Sequence, residues 1–357
     1  MIFSRQNAAC GSIFKMALIK ICYRSFSIKI VLIINLNSIF AALNFRMNIY
    51  RHLHEYTSPE PLALSLGMFD GVHRGHQSII SEINKVAAQK NLSSAILTFW
   101  PHPRLAFNPD ENLKLLNTID EKTALLNTAG IKHLFIQAFD EPFRNLTGEE
   151  FVREILVKKL NLKYLIVGYD HVFGKNRSGN FELLQQLAPE LGFEVEKMEA
   201  VNLHNYSISS TKIREALAIG NITSANEMLG YPYPLSGTVV DGKKLGRTIG
   251  YPTANIAADS TKLLPKKGAY IVEVEVKDTR YAGMLSVGTN PTVGGETLTV
   301  EVYILNFNED IYGTNITVRF RDFLHEEIKF ESVEQLVERL DEDKKQTQEY
   351  FENLPLS

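Results

Sequence analysis

Cysteine and acidic residues are missing from parts of this 357-residue chain where an average protein would have them. Both cysteines, Cys10 and Cys22, lie in the first 46 residues, so disulfides cannot hold the rest together. That absence fits a reducing compartment, and we expect the cytoplasm. No GxxxxGK[ST] sequence occurs either, which excludes an ordinary P-loop kinase.

Residues 1–46 differ in charge from the remainder. They contain no Asp or Glu, since the first acidic residue is Glu55, but they contain six Lys or Arg. Their apolar stretch, residues 28–43, is interrupted by Asn35 and Asn37 and is too short for a clean transmembrane span. Three hypotheses stay open: a start assigned upstream of the true start at Met47, a dispensable or transit-like extension, and a secretory signal or anchor.

The rest of the chain has the composition of a globular protein. Hydrophobic residues make up 45% and charged residues 22%, and the length favours two domains, which we place at residues 47–230 and 231–357. Removing the six leader cations leaves 32 basic against 41 acidic residues. This acidic balance argues against nucleic acid as a partner, and no membrane partner is expected.

Residues 47–230 alternate between apolar runs and helical patterns. Strands are predicted at 62–66, 94–99, 133–139, 164–168 and 193–198, with helical spacing at 76–90 and 149–160. This alternation predicts an α/β domain with a parallel sheet and helices on both faces.

The segment GMFDGVHRGHQSII, residues 67–80, joins the first strand to the first helix. Its glycines allow a tight turn and close approach to a ligand, and the helix should begin near Gly75 or His76. A helix amino end after such a turn attracts phosphate, which His73 and His76 could both face. Two alternatives remain, namely histidines that merely cap the turn and a metal site, although no further ligand pattern completes the latter.

Three later segments have polar or basic residues where a ligand would bind. TFWPHP (98–103) follows the second strand, and VGYDHVFGKNRSGN (167–180) follows the fourth. ISSTKIREAL (208–217) places serine and threonine at a helix amino end, where they usually act as caps. The cations Lys212 and Arg214 in that first turn are unfavourable unless an anion neutralises them.

Residues 231–357 change to a period of two. In AYIVEVEV, residues 269–276, Tyr270, Val272 and Val274 alternate with Ile271, Glu273 and Glu275, which predicts an antiparallel strand with one wet face. Several such strands predict a small barrel, and residues 331–351 predict a closing amphipathic helix. DGKKLGRTIGYPTANI (241–256) combines glycines and cations that can wrap a polyphosphate with oxygen donors for Mg²⁺. An exposed glycine hairpin is the alternative.

In their order and separation, the first four segments resemble the FMN adenylyltransferase module of the bifunctional bacterial riboflavin kinase/FAD synthetase family, whose signature is HxGH. The resemblance implies a Rossmann-like nucleotidylyltransferase fold in which His73, His76 and Arg214 are catalytic. It implies that Gly67, Phe69, Asp70, Gly75, Ser210 and Thr211 bind ATP phosphates, and that His102, Pro103 and Asp170 lie at the flavin and nucleotide pocket. Met68 departs from the common pattern, whereas its neighbours do not.

The glycine and PTAN segment resembles the GxxxGRxxGxPTAN signature of riboflavin kinases, and residues 298–313 resemble their second signature. The resemblance implies a Greek-key barrel with a C-terminal helix, in which Glu301 is the general base. Thr253 and Asn255 would hold Mg²⁺, and Gly242, Gly246 and Arg247 would cover the ATP phosphates.

The expected function follows from both resemblances. The chain would phosphorylate riboflavin to FMN and adenylylate FMN to FAD plus pyrophosphate, using ATP and Mg²⁺, as a monomer or weak homo-oligomer. Retention of one activity alone, or a flavin-sensing regulator without catalysis, are the alternatives. A regulator predicts an added DNA-binding segment or eroded catalytic residues, and the sequence has neither.

Overall fold

The computed structural model describes residues 46–57, 59–104, 113–199, 201–203, 206–242, 244–292 and 295–354. The hypotheses about residues 1–45 therefore lie outside the described residues. The described chain contains a parallel sheet with its helices, followed by a barrel and a terminal helix. The predicted fold class is confirmed in both parts.

The first part is built on a six-stranded sheet whose strand pairs are all parallel, in the order β1-β4-β3-β2-β5-β6. The strands are β1 Asn48–Tyr50, β2 Leu62–Leu66, β3 Ser93–Phe99, β4 His133–Gln137, β5 Leu162–Gly168 and β6 Glu194–Met198, and a separate antiparallel pair follows, β7 Asn202–Leu203 and β8 Tyr206–Ser207. The five predicted strands are confirmed within a few residues at each end. Strand β1 was not predicted, because three residues at a sheet edge are too few to show a period.

Helices cover both faces of this sheet. The helices of this part of the chain are α1 Arg74–Lys90, α2 Ile119–Thr128, α3 Glu141–Arg144, α4 Gly148–Glu150, a π-helix Phe151–Lys159, α5 Phe181–Leu191, α6 Ser210–Ala218 and α7 Ile222–Leu229. Along β2, Ala63 packs with Ile83 of α1 on one face, whereas Leu64 packs with Leu156 of the π-helix on the other. Successive residues of one strand thus serve two separate cores.

Two helix predictions need adjustment. Helix α1 begins at Arg74, slightly earlier than expected, with His73 as its N-cap. The predicted helix at 149–160 is a short α-helical turn that continues as a π-helix. The apolar spacing of nine residues cannot distinguish these two helix types, so the sequence predicted a helix without its type.

The second part is a closed antiparallel barrel with the order β10-β13-β12-β11-β14-β9. Its strands are β9 Pro234–Val240, β10 Ala254–Ala258, β11 Gly268–Val276, β12 Thr279–Thr292, β13 Gly295–Ile304 and β14 Asn315–His325. Three consecutive strands form hairpins and the fourth returns beside the first of them, which is the Greek-key order. Short helix α8 Leu245–Thr248 follows β9, and α9 Val333–Asn353 ends the described chain.

The predicted wet face of β11 is only partly wet. Tyr270, Val272 and Val274 are buried in the barrel core as expected, but Glu273 on the opposite face is fully buried too. Arg321 of β14 pairs with the Glu273 carboxylate and covers it, with Arg319 of the same strand lying 3.8 Å away. The two-residue period correctly predicted which side chains face the barrel core. It carries no information on the residues of the neighbouring strand that cover the opposite face.

Hydrophobic packing continues from helices α6 and α7 into the barrel. Ile213 and Leu217 of α6 and Leu229 of α7 belong to the same core cluster as the barrel residues Tyr233 and Phe320. The division at residue 230 therefore remains a proposal about the chain, and it does not separate two independent cores.

Candidate functional site

A cleft of about 550 Å³ opens at the carboxyl ends of β2 and β5. On one side of β2 the sheet continues with β3, β4 and β1, and on the other side with β5 and β6. The strand order therefore reverses between β2 and β5, and α/β sheets bind ligands at such a switch point. The cleft brings together most residues predicted for the first site, namely Gly67, Phe69, Asp70, His73, Gly75, His76, His102, Asp170, Ser210, Thr211 and Arg214.

The two signature histidines lie against each other at the amino end of α1. Their rings stack with centroids 3.7 Å apart, and His73 Nδ1 accepts a hydrogen bond from the His76 backbone N–H at 3.4 Å. Burial lowers the pKa of His73 to about 4 and lowers the pKa of His76 well below its usual value. Both imidazoles are therefore neutral near pH 7, and each retains one N–H donor.

The alternatives for this pair can now be weighed. His73 does cap the helix, so capping and ligand binding coexist in the same side chain. No group of three His, Cys, Asp or Glu side chains is placed to hold a metal among the described residues. His76 Nδ1 is buried and has no hydrogen-bond partner within those same residues, which leaves an atom available to a ligand.

Asp70 holds Arg214, one of the two cations in the first turn of α6 whose presence the sequence could not explain. Its Oδ1 accepts the backbone N–H groups of Leu116 and Asn117 at 3.0 and 3.3 Å, and its Oδ2 pairs with the Arg214 guanidinium. Ser210 Oγ donates to the Asp70 carbonyl at 2.8 Å. The carboxylate is thus occupied in holding Arg214 at the cleft, so an anion bound there would contact the Arg214 guanidinium rather than Asp70.

Lys122 supports the signature turn and was not predicted. Its ammonium donates to the Met68 carbonyl at 2.7 Å from the buried face of α2. Burial lowers the pKa of Lys122 to about 8. The sequence did contain one signal for a buried Lys122, since Ile119, Lys122 and Leu126 share one face of the helix. However, Lys122 ends the charged run DEK, residues 120–122, and such a run is typical of a solvent-exposed face.

A second cavity, of about 740 Å³, adjoins the first cleft and is lined mainly by apolar side chains. Aromatic rings supply much of its wall: Phe99, Phe139, Phe143, Phe151 and Phe173. Pro103, predicted for the flavin pocket, lies here rather than in the first cleft. The two cavities share Leu66, Gly67, Met68, Asp170 and His171. An apolar cavity of this size suits a flat aromatic ring system.

A third cleft, of about 500 Å³, lies on the barrel beside β10 and residues 307–312. Arg247 and Thr253 line it, and Arg247 donates to the Tyr312 hydroxyl at 3.1 Å. Thr253 Oγ1 donates to Glu301 Oε2 at 3.1 Å, and Asn255 pairs with Glu301 across β10 and β13. The structure thus brings three predicted oxygen donors together, although Asn255 and Glu301 are not among the described residues lining this cleft.

Two glycines allow the backbone in this region to pack closely. A Cβ on Gly242 would lie 2.0 Å from Asn255 Nδ2, and a Cβ on Gly246 would lie 2.0 Å from the Tyr251 carbonyl oxygen. A side chain at Gly246 would collide with backbone and displace the loop, whereas a side chain at Gly242 would displace either the Asn255 side chain or the loop. These predicted phosphate-covering residues therefore shape the loop by their lack of a side chain.

An apolar group near the PTAN segment, not predicted from sequence, involves the terminal helix. Tyr251, Met284 and Leu305 form a small buried cluster with Leu340 of α9 packed against it. The Tyr251 hydroxyl donates to Asp341 of the same helix. The C-terminal helix thus holds the residue that precedes Pro252 and Thr253.

Comparison with protein-family models gives a match in each part of the chain. The FAD synthetase family matches residues 55–212, and the riboflavin kinase family matches residues 229–351. The first range contains the HxGH cleft and the second contains the Thr253 and Glu301 cluster. Both resemblances inferred from the motifs are confirmed.

Similar proteins with both parts are known. A bifunctional riboflavin kinase/FMN adenylyltransferase of Listeria monocytogenes is 37% identical over 312 residues, covering 86% of this chain and 98% of that protein. The Escherichia coli protein of the same name is 36% identical over 308 residues, covering 85% and 98%.

A crystal structure described as a macrolide-efflux protein from Streptococcus pneumoniae is also similar. It superposes with a TM-score of 0.77 at 34% identity, covering 85% of this chain and 98% of that one. Within the described residues of this chain, no helix is long and apolar enough to cross a bilayer. Because the relatives match across both the HxGH cleft and the barrel, this chain belongs to the bifunctional riboflavin kinase/FMN adenylyltransferase family.

Proposed function

We propose that the chain carries both family activities and that they occupy separate clefts. The barrel phosphorylates riboflavin with ATP to give FMN, and the α/β part transfers AMP from a second ATP to FMN, releasing pyrophosphate and FAD. One observation carries this assignment most strongly: a cleft lined by neutral imidazoles and Arg214 adjoins an aromatic cavity, so phosphates and a flavin ring have adjacent places.

In the adenylyltransferase cleft, the FMN phosphate oxygen attacks the α-phosphorus of ATP as the bond to pyrophosphate breaks. Charge accumulates on the phosphoryl oxygens, where the imidazole N–H groups of His73 and His76 and the Arg214 guanidinium stabilise it. Gly75, Ser210 and Thr211 supply the helix amino ends that receive the phosphates. Gly67 and Phe69 form the turn beside them, while His102, Pro103 and Asp170 border the flavin.

In the barrel, Glu301 accepts the proton of the riboflavin 5′-hydroxyl as that oxygen attacks the γ-phosphorus of ATP, and the bond from the γ-phosphorus to the bridging oxygen breaks so that ADP leaves. Gly242, Gly246 and Arg247 cover the ATP phosphates. Thr253 and Asn255 fit Mg²⁺, because hydroxyl and amide oxygens beside a carboxylate are hard donors, and Thr253 and Glu301 already lie in contact. When bound, Mg²⁺ neutralises phosphate charge.

Mg²⁺ in both sites, weak self-association and a cytoplasmic location belong to the same proposal. ATP in cells is a polyanion that normally carries Mg²⁺, and Mg²⁺ commonly binds through substrate phosphates and one or two protein oxygens. The cysteine-free chain beyond residue 46 is compatible with a reducing compartment.

Assaying the full chain with riboflavin, ATP and Mg²⁺ tests the proposal directly. FMN and FAD should both form, and an absence of either contradicts the corresponding half. His76→Ala should abolish FAD formation but spare FMN formation, whereas Glu301→Ala should abolish FMN formation but still yield FAD when FMN is supplied.

Matched controls separate these effects from misfolding. His52→Ala removes an exposed histidine outside the cleft, and Glu275→Ala removes a carboxylate from β11, which β12 separates from the strand of Glu301. Both controls should leave the two activities unchanged. If His76→Ala and Glu301→Ala each destroyed both activities while unfolding in urea like the unsubstituted protein, the separation of the sites would be wrong; loss of the unfolding transition would instead indicate misfolding. A regulator without catalysis would yield neither product.

A further inference from the structure

His171 lies at the wall between the phosphate cleft and the aromatic cavity. It follows β5 in a turn closed by its own backbone N–H, which donates to the Gly168 carbonyl at 3.3 Å. Its ring stacks with Phe173 at a centroid distance of 5.8 Å and an angle of 26°. His171 lines both spaces and therefore lies at the boundary that a ligand spanning them would cross.

The imidazole of His171 has an unused polar atom. Nε2 is buried and has no hydrogen-bond partner among the residues that the structure describes. Buried polar atoms without partners are uncommon and costly, so a partner from a ligand is the natural explanation. Burial also lowers the pKa of His171 to about 4. A neutral imidazole nitrogen can donate to or accept from an uncharged hydroxyl.

The chemistry of FMN determines which of its groups reaches this wall. A flat apolar ring fits the aromatic cavity, and the reacting phosphate must reach His73 and His76 in the cleft. The ribityl chain joins these two ends and bears hydroxyl groups along its length. Resting on the function proposed above, we infer that His171 Nε2 binds a ribityl hydroxyl of FMN and so sets the distance between ring and phosphate.

Three substitutions at His171 test the inference in the full chain. His171→Phe keeps a ring against Phe173 but loses the nitrogen, and it should raise the KM for FMN in FAD formation roughly tenfold. The KM for ATP should not change. His171→Gln places an amide group near the position of Nε2 and should restore most of the affinity, whereas His171→Asn, which mimics Nδ1, should not.

A flavin phosphate with an unsubstituted pentyl chain in place of ribityl identifies the contact. His171→Phe should then have little effect, because the hydroxyl partner is absent from the analogue. If the His171→Phe defect persists with the pentyl analogue, His171 contacts the phosphate or the ring and the inference is wrong. The inference is also wrong if His171→Phe leaves the KM for FMN unchanged.

Two readouts separate this inference from other failures. Riboflavin phosphorylation by the barrel should be unaffected in every His171 variant, which reports that the chain is folded. KM in FAD formation is used rather than FMN binding, because the barrel is proposed to bind flavin as well. If the protein without any substitution forms no FAD from FMN and ATP, the proposed function has failed. If that protein forms FAD and the His171→Phe variant does so equally well, only this inference has failed.

Discussion

The two parts of this molecule prepare for phosphate transfer in opposite physical ways. The α/β cleft relies on side chains that burial has altered: stacked neutral imidazoles and a guanidinium held by Asp70. This strategy depends on protonation state and burial, whereas that of the barrel depends on loop shape.

Different perturbations should therefore affect the two sites. Loss of a buried contact or a fall in pH should affect the α/β cleft more, and added side-chain volume should affect the barrel more. The parts are nevertheless joined by a buried ion pair, which limits how independent they can be. We expect the largest change in the free energy of unfolding at this ion pair and the smallest effects at single hydroxyl groups.

Lys262→Met should destabilise the chain most. Lys262 is buried in the barrel part, and its ammonium pairs with Glu121 of α2 and donates to the Leu116 carbonyl, both at 2.6 Å. Removing one partner of a buried pair costs about 3–5 kcal/mol, because the other charge is left without compensation. Urea unfolding should show this loss. Since the adjacent Leu116 N–H binds Asp70, FAD formation should decline more than FMN formation.

Lys266→Met is the matched control for that variant. Lys266 pairs with Glu326 at the same 2.6 Å, but both side chains are partly exposed, at 34% and 71%. An exposed pair contributes about 0–1 kcal/mol. Glu121→Gln combined with Lys262→Met should recover part of the stability, because no unpaired charge remains. Equal losses for the two single lysine variants would show that burial does not determine the effect.

The ion pair between Lys262 and Glu121 is a feature that the sequence could not predict. LALSL and GMFDGVHRGH predicted β2 and the start of α1 because period and turn chemistry are local signals. Glu121 and Lys262 are 141 residues apart, and each resembles a solvated charge in its own segment. Their pairing depends on tertiary packing, which no local pattern encodes.

The same reasoning applies to the sites. Glycine and cation spacing indicated phosphate, and the family resemblance assigned residues to it; most of those predicted for the first site do line one cleft. Lys122 and His171 were missed, because each matters through the atoms that surround it after folding. Glu273 was predicted to be wet for the related reason that its arginine cover comes from β14.

Gly242→Ala tests the claim that the barrel site depends on backbone approach. The new Cβ would lie 2.0 Å from Asn255 Nδ2, so either the Asn255 side chain or the loop must move, and both belong to the predicted Mg²⁺ and phosphate site. We expect FMN formation to fall about 100-fold, since small displacements of positioning groups have effects of that size. FAD formation from supplied FMN should be unchanged.

Gly75→Ala is the counterpart in the α/β cleft. Its Cβ would meet His73 Cε1 at 3.1 Å, a contact that a small ring movement relieves. FAD formation should therefore decline by a smaller factor than FMN formation does in Gly242→Ala. A larger effect from Gly75→Ala would reverse the proposed contrast between the two sites.

The pH dependence of FAD formation tests the role of burial. With the pKa of His73 near 4, this imidazole stays neutral well below pH 6.5, so kcat/KM should show no histidine inflection there. The unfolded chain binds protons first as pH falls, because an unperturbed histidine has a pKa of about 6.5. The free energy of unfolding should thus decrease from pH 6.5 towards 4, by roughly 1–2 kcal/mol at pH 5 for His73.

Urea unfolding at pH 7 and pH 5 measures this loss. His73→Asn should lose less stability on acidification than the unsubstituted chain, since the buried titrating group is gone. FMN formation, for which no histidine is proposed, provides the internal comparison. An inflection of FAD formation near pH 6.5 that His73→Asn removes would contradict the assignment of a neutral imidazole.

Two tyrosines offer the finest comparison, because each places its hydroxyl beside a different site. The Tyr251 hydroxyl donates to Asp341 next to the PTAN segment, and the Tyr231 hydroxyl donates to the Gly71 carbonyl in the HxGH turn. Tyr251→Phe should slow only FMN formation and Tyr231→Phe only FAD formation, each by roughly 3- to 10-fold, as expected from about 1 kcal/mol per hydrogen bond. Assaying both products in both variants measures this. If either substitution slowed both reactions equally, the hydroxyl would be stabilising the whole chain, and the two sites would share their support rather than each having its own.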